Sequence, residues 1–273
     1  MKSTIQNMRD FNLEDFLNKE VFEKIHNLYE EILEKNRDGD TDNFDRIKHY
    51  KYSIFYSNPL HTLKKGDIYF LGLNPKGKYS IIDVNQSEYY CDNDLSFYKN
   101  SRVNWCSLID EYWGQNNSFD KLQKRIKQVL EFVINEMKLS ISVREIFSSN
   151  INFFRSEDDK ELFRIGIPFD ICWSYHKKFL EIVKPRIIIC NGFGESNTYT
   201  KSPFSIIKDK LEVKTCDQQI GLKAQNHIKF FKKNIGFLNC ERETLIIGIE
   251  HLSRYSPADS FFCSLRKILN ENI

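Results

Sequence analysis

Residues 68–75 have the sequence Ile68-Tyr69-Phe70-Leu71-Gly72-Leu73-Asn74-Pro75, in which an unbroken apolar run ends in a turn. A short apolar run bounded by turn-forming residues is typical of a strand that is buried on both faces of a sheet. Glycine lets a ligand approach the backbone closely, and proline fixes the turn that follows. We therefore expect Asn74 to point into a crevice at the carboxyl end of this strand.

Strand and helix patterns alternate along the rest of the chain. The predicted elements, in chain order, are a helix over 119–137, a strand over 145–149, a helix between Asp170 and Pro185, and strands over 186–190 and 245–250. This alternation predicts an α/β fold, a three-layer αβα sandwich around a mainly parallel central sheet. In such sheets ligands bind outside the carboxyl ends of the strands, where the strand order switches.

The first 60 residues have a different pattern. Apolar residues recur every three or four positions over residues 13–33, and Asn12 stands where a helix cap is expected. The polar stretch 36–43 predicts a loop. We therefore expect an N-terminal helical appendage over residues 1–60 and an α/β domain over 61–273.

Composition excludes several classes of protein. The chain has 273 residues, 41% of them apolar, and its 40 Lys and Arg nearly balance 38 Asp and Glu, so net charge alone does not indicate nucleic-acid binding. The longest apolar runs are too short to cross a bilayer, which predicts a soluble, cytoplasmic protein. Seven widely spaced cysteines without a Cys-x-x-Cys pair predict reduced thiols and no metal site.

Polar side chains follow the other predicted strands as well. Asn150 and Asn152 come after the second strand, Gly192 after the third, and His251 with Ser253 after the fourth. Each has a structural explanation when taken singly, because Asn-Pro usually forms a turn and a strand-end histidine is usually a satisfied surface or core residue. Their combined order along the chain carries the functional signal.

That order resembles the uracil-DNA glycosylase superfamily over roughly residues 66–270. Gly72-Leu73-Asn74-Pro75 resembles the first motif of the family, in which the asparagine helps to position the attacking water. His251-Leu252-Ser253 resembles the late His-Pro-Ser motif, whose histidine stabilises negative charge on the departing base. The resemblance implies catalytic roles for Asn74 and His251, and Leu252 departs from the usual proline.

The resemblance also implies a base-binding set. Phe147-Ser148-Ser149-Asn150 is similar to the strand whose last asparagine makes paired hydrogen bonds to the edge of the flipped base, with Asn152 as the alternative. Residues 97–105 are similar to the segment that carries the ring stacking on the base. Phe97 fits that ring best, with Tyr89 and Tyr90 as competitors. The implied base-binding residues are Gly72, Leu73, Pro75, Phe97 and Asn150.

DNA contacts are expected beside these motifs. After the late motif, Arg254 or Tyr255 would wedge into the vacated base stack while Ser253 contacts phosphate. Lys76, Lys78 and Arg254 would supply local positive charge. The most uracil-selective branch has a tyrosine where Lys76 stands, so we expect a pocket that tolerates a 5-substituted or otherwise modified pyrimidine.

The resemblance implies a monofunctional DNA glycosylase. Such an enzyme would act as a monomer without a cofactor, and would hydrolyse the N-glycosidic bond of uracil or a modified base in single- or double-stranded DNA. The target base must be flipped out of the stack and read on its pairing edge. Two alternatives remain: a diverged protein of this fold that binds nucleic acid, a nucleotide or a protein partner without catalysis, and an enzyme acting on small nucleotide-like substrates. Leu252, the long segment 79–95 and the N-terminal helix favour the non-catalytic alternative.

Overall fold

A computed structural model describes residues 11–37, 48, 52–73, 75, 95–114, 118–156, 162–163, 166–168, 170–193, 195–196, 200–212, 227–237 and 240–273. The strands are β1 (Ile68–Gly72), β2 (Phe147–Asn150), β3 (Ile187–Asn191), β4 (Glu195–Ser196), β5 (Thr200–Lys201), β6 (Ile228–Phe237) and β7 (Cys240–Ile249). The helices are α1 (Glu23–Arg37), α2 (Pro59–Thr62), α3 (Leu95–Asn100), α4 (Ser107–Asp110), α5 (Lys121–Glu136), α6 (Trp173–Val183), α7 (Pro203–Lys210) and α8 (Asp259–Asn272). A π-helical stretch (Phe16–Phe22) and one turn (Leu13–Asp15) precede α1. Among these described helices, none is long and apolar enough to span a membrane.

Five strands form one sheet in the order β2-β1-β3-β7-β6. The first four are mutually parallel and β6 runs antiparallel to β7, so the predicted α/β fold with a mainly parallel sheet is confirmed. The chain passes from β1 to β2 on one side and then to β3 on the other. The strand order therefore switches at β1, which is where this class of sheet binds its ligands.

Helices cover both faces of the sheet. In β1, Tyr69 and Leu71 pack into the cluster that includes α1 and α6, whereas Ile68 and Phe70 pack into the cluster that includes α5 and α8. This alternation follows from the two-residue period of a strand. All five residues of β1 are buried, as its unbroken apolar run predicts.

The N-terminal helical segment shares the core of the sheet. Leu17, Val21 and Ile25 are fully buried, and the Phe22 ring stacks 5.9 Å from the ring of Tyr98. Residues 52–57 then run beside β2, where the backbone N–H of Tyr56 donates to the carbonyl oxygen of Ser148 at 2.9 Å. This pairing brings Tyr56 to the carboxyl half of β2.

A histidine is buried beneath β1 and β2. The hydroxyl of Tyr69 lies 2.7 Å from Nδ1 of His176, and the histidine is 1% exposed. Burial lowers the pKa of His176 from 6.5 to about 3, because the charged imidazolium cannot be hydrated there. The folded protein therefore holds this imidazole neutral.

The buried histidine predicts a loss of stability in acid. Below pH 6.5 the unfolded chain binds a proton at this position that the folded chain binds only near pH 3. The free energy of unfolding should fall by up to about 1.4 kcal/mol per pH unit across that window. Urea unfolding at pH 7, 5.5 and 4 measures this decrease in the free energy of unfolding. His176→Phe should remove this dependence and His61→Phe, at an exposed position, should retain it; equal slopes in the two variants would contradict the assignment.

Candidate functional site

The carboxyl ends of four parallel strands meet at one edge of the sheet. Gly72 of β1 pairs with Asn150 of β2, and Asn191 of β3 pairs with Ile249 of β7. Three steps between neighbouring strands separate β2 from β7, which is roughly 14 Å. This edge therefore has Asn150 at one end and the segment containing His251 at the other.

The side chain of Asn150 is held in place by two neighbours. It is only 1% exposed, and its Oδ1 accepts a hydrogen bond of 2.7 Å from the hydroxyl of Tyr56. A Cβ atom on Gly72 would lie 2.5 Å from this Oδ1, so only glycine leaves room for the amide. The glycine of the first motif thus allows the Asn150 side chain to lie across the end of β1.

Among the residues that the structure describes, the amide nitrogen of Asn150 has no hydrogen-bond partner. This Nδ2 is buried. Its lack of a partner is unusual, because most buried donors in proteins are paired. Leaving such a group unpaired costs about 1–3 kcal/mol. The site therefore presents an enclosed donor that a ligand with an acceptor atom would satisfy.

Tyr56 is a site residue that the sequence motifs do not indicate. Burial raises the pKa of Tyr56 to about 12, so the phenol keeps its proton at neutral pH and donates it to Asn150. Its ring packs 5.5 Å from the ring of Trp113. The available signal was the run of aromatic and β-branched residues over 52–56, which is typical of a strand.

Asn152, the alternative to Asn150, is used in local structure. Its Oδ1 accepts from the backbone N–H of Phe154 at 2.9 Å, and its Nδ2 donates to the carbonyl oxygen of Pro168 at 3.2 Å. These bonds occupy both ends of the amide. The geometry therefore favours Asn150 as the residue with a donor to offer.

The first motif is described only in part. The carbonyl oxygen of Gly72 accepts from the N–H of Ile151 at 2.8 Å, and that of Leu73 accepts from the N–H of Asn152 at 3.0 Å. The carbonyl oxygen of Pro75 accepts from the N–H of Ser156 at 3.3 Å. These bonds hold Gly72, Leu73 and Pro75 against the segment that follows β2. The predicted residues Asn74, Lys76, Lys78, Tyr89 and Tyr90 lie outside the described residues.

His251 follows β7 and is fixed by Ser253. Its Nδ1 lies 2.7 Å from the Ser253 hydroxyl and accepts from the Ser253 backbone N–H at 3.3 Å. A neutral imidazole that accepts at Nδ1 carries its proton on Nε2. Gly192 adjoins the ring, with φ of +126°, and a Cβ atom there would lie 3.7 Å from Cδ2 of His251. The partly exposed ring therefore has an Nε2–H donor.

The backbone N–H of Leu252 takes part in a hydrogen bond at the strand ends. Leu252 is fully buried, and its backbone N–H donates to Oδ1 of Asn191 at 3.0 Å. Its carbonyl oxygen accepts from Nη1 of Arg125 at 2.7 Å. Proline would lack the N–H group that bonds to Asn191. Leucine at this position thus allows a hydrogen bond between β3 and the segment that contains His251.

The residues after the late motif differ in accessibility. Ser253 and Arg254 are exposed. Tyr255 is partly buried and stacks on His227, with ring centroids 3.9 Å apart, while His227 Nδ1 lies 2.5 Å from Oε2 of Glu250. Arg254 is therefore the better placed of the two predicted wedge residues to reach a ligand.

Phe97 lies in an aromatic cluster beside the N-terminal helical segment. Its ring centroid is 5.1 Å from that of Tyr98 and 5.2 Å from that of Trp105, both in edge-to-face contact. Tyr98 in turn stacks on Phe22. The structure thus gives Phe97 a packing role, and its role in stacking on a base stays a prediction.

Comparison of this chain with protein-family models and with curated protein sequences finds no match. Within the described ranges, no group of three His, Cys, Asp or Glu side chains is arranged to hold a metal ion. Cys106, Cys172 and Cys190 are buried thiols.

Proposed function

We propose that this protein is a DNA glycosylase that hydrolyses the N-glycosidic bond of uracil or a modified base flipped out of DNA, leaving an abasic site. The observation that supports this most is the enclosed Nδ2 of Asn150 at the switch point of the sheet, which finds no hydrogen-bond partner in the described part of the chain. The pairing edge of a uracil-like base offers a carbonyl acceptor next to an N–H donor. An asparagine amide complements both groups, because it has one donor and one acceptor end.

His251 suits the chemical step. Cleavage of the glycosidic bond creates a cationic, oxocarbenium-like sugar and leaves negative charge on the departing base. A donor placed where that charge develops lowers the barrier. Nε2–H of His251 is such a donor, since Nδ1 is engaged with Ser253. By the motif resemblance, Asn74 would position the attacking water.

The DNA strand would lie across the outer rim of this edge. Ser253 and Arg254 are exposed there, and Arg125 reaches the carbonyl oxygen of Leu252 beside them. Hydroxyl and guanidinium groups are common phosphate ligands in DNA-binding proteins. These contacts are sequence-independent and would hold the strand while one base enters the site.

Strand cleavage at abasic sites tests the proposal. The full chain is incubated with oligonucleotides that each contain one uracil, thymine or 5-hydroxymethyluracil, in single strands and in duplexes, and the products are treated with alkali. We expect cleavage at one or more of these bases, including a 5-substituted one, and loss of cleavage in Asn74→Ala. Tight DNA binding that survives this substitution, without cleavage at any base, would instead support the non-catalytic alternative.

A further inference from the structure

We infer that Tyr56 is a positioning residue that selects the class of base, by turning the Asn150 amide so that it accepts bases with a carbonyl group and rejects those with an amino group. This inference rests on the proposed function and concerns the same site. It starts from the 2.7 Å hydrogen bond between the Tyr56 hydroxyl and Oδ1 of Asn150.

The two ends of an asparagine amide are nearly identical in shape. Rotation by half a turn exchanges the oxygen and the nitrogen at almost no steric cost, so hydrogen bonds decide the orientation. In the observed orientation Oδ1 faces Tyr56, and Nδ2 is a donor with no partner within the described ranges. In the reversed orientation Oδ1 would take that place, and the site would offer an acceptor.

The phenol stabilises the observed orientation. Among the described residues, Asn150 is the one side chain that the Tyr56 hydroxyl bonds to. Reversal would let Nδ2 donate to the phenol oxygen, but it would leave the phenol proton without the acceptor that it has on Asn150. Once a base fills the site, water is excluded as a substitute partner, and an unpaired buried donor is strongly unfavourable.

The amide lies against the end of β1. It lies so close to the end of β1 that a single added carbon on Gly72 would come within 2.5 Å of Oδ1. Asn150 is also only 1% exposed. A base can therefore reach Nδ2 only after some of the protein atoms that cover Asn150 have moved, and the group that it then meets is a hydrogen-bond donor. A carbonyl group satisfies that donor, whereas an amino group places donor against donor.

Binding of uncleavable DNA tests the inference without depending on catalysis. The probes are single-stranded oligonucleotides that contain one 2′-fluoro-2′-deoxyuridine or one 2′-fluoro-2′-deoxycytidine, and dissociation constants are measured by fluorescence anisotropy. The wild-type chain should prefer the uracil probe. Tyr56→Phe should reduce that preference by about tenfold or more, since the preference rests on one buried hydrogen bond. Tyr112→Phe removes the hydroxyl group of an exposed tyrosine and should leave the preference unchanged.

A double-mutant cycle with Asn150 separates an effect of Tyr56 on the amide from a general change at the site. In Asn150→Ala the preference should vanish, and adding Tyr56→Phe to it should change nothing further. The inference is overturned if Tyr56→Phe retains the preference, or if it alters the preference in the Asn150→Ala background. Equal binding of both probes by the wild-type chain would also overturn it. The proposed function fails only if no base is excised, so the two failures can be told apart.

Discussion

Substitution of His251 by alanine is expected to lower the rate of base excision at saturating DNA by about 10²–10³. The alanine removes the Nε2–H donor that would face the departing base, and it does so without disturbing the buried core, because His251 is partly exposed. The dissociation constant for DNA should change little, since the interaction forms as charge develops on the base and not before.

Matched variants separate this effect from general damage. His26→Ala alters an exposed histidine on α1 and should leave the rate unchanged. Ser253→Ala removes the hydroxyl beside Nδ1 but leaves the backbone N–H bond, so it should slow excision by much less. A His251→Ala protein with the wild-type rate would show that this imidazole takes no part in the chemistry.

Gly72→Ala is expected to reduce kcat/KM for excision by about ten- to a hundredfold. The added Cβ atom would lie 2.5 Å from Oδ1 of Asn150, so the amide must shift, and we expect this shift to break its bond to Tyr56. Breaking this bond leaves buried groups unpaired, which costs about 1–3 kcal/mol. The thermal midpoint should fall as well, because the bond also stabilises the folded protein.

Gly66→Ala is the control for this second prediction. A Cβ atom there would meet its nearest neighbour, the carbonyl oxygen of Lys64, at 3.6 Å, which is an ordinary contact. Its rate and thermal midpoint should match those of the wild-type chain. If Gly72→Ala excised bases as fast as Gly66→Ala, the Asn150 amide would not be the group that reads the base.

The parallel part of the sheet could be predicted because its strands are buried on both faces. Largely apolar runs such as Ile68–Gly72 and Ile187–Asn191 can be recognised as strands from the sequence alone, without knowledge of the strands that they pair with. Strand β6 was not predicted, because it pairs on one side only and carries Lys229, Lys232 and Lys233. Lysines are common on such edge strands, where they discourage pairing with other chains.

The candidate site was predictable only in part, because some of its contacts join distant segments. Asn150 and His251 each directly follow a strand predicted from the sequence, so their position could be inferred from chain order. Tyr56 is 94 positions from Asn150, and only the pairing of residues 52–57 with β2 brings them together. In the same way, nothing local to Leu252 indicates that Asn191 accepts its N–H.

The central claim is that Nδ2 of Asn150 is the donor that reads the flipped base. A crystal structure of the full chain with a single-stranded oligonucleotide that contains 2′-fluoro-2′-deoxyuridine tests it most directly. We predict a uracil carbonyl oxygen within about 3.2 Å of this Nδ2, with the bond from Tyr56 to Oδ1 retained. A uracil bound elsewhere than between the ends of β2 and β7, or an Nδ2 that stays enclosed by protein in that complex, would contradict the claim.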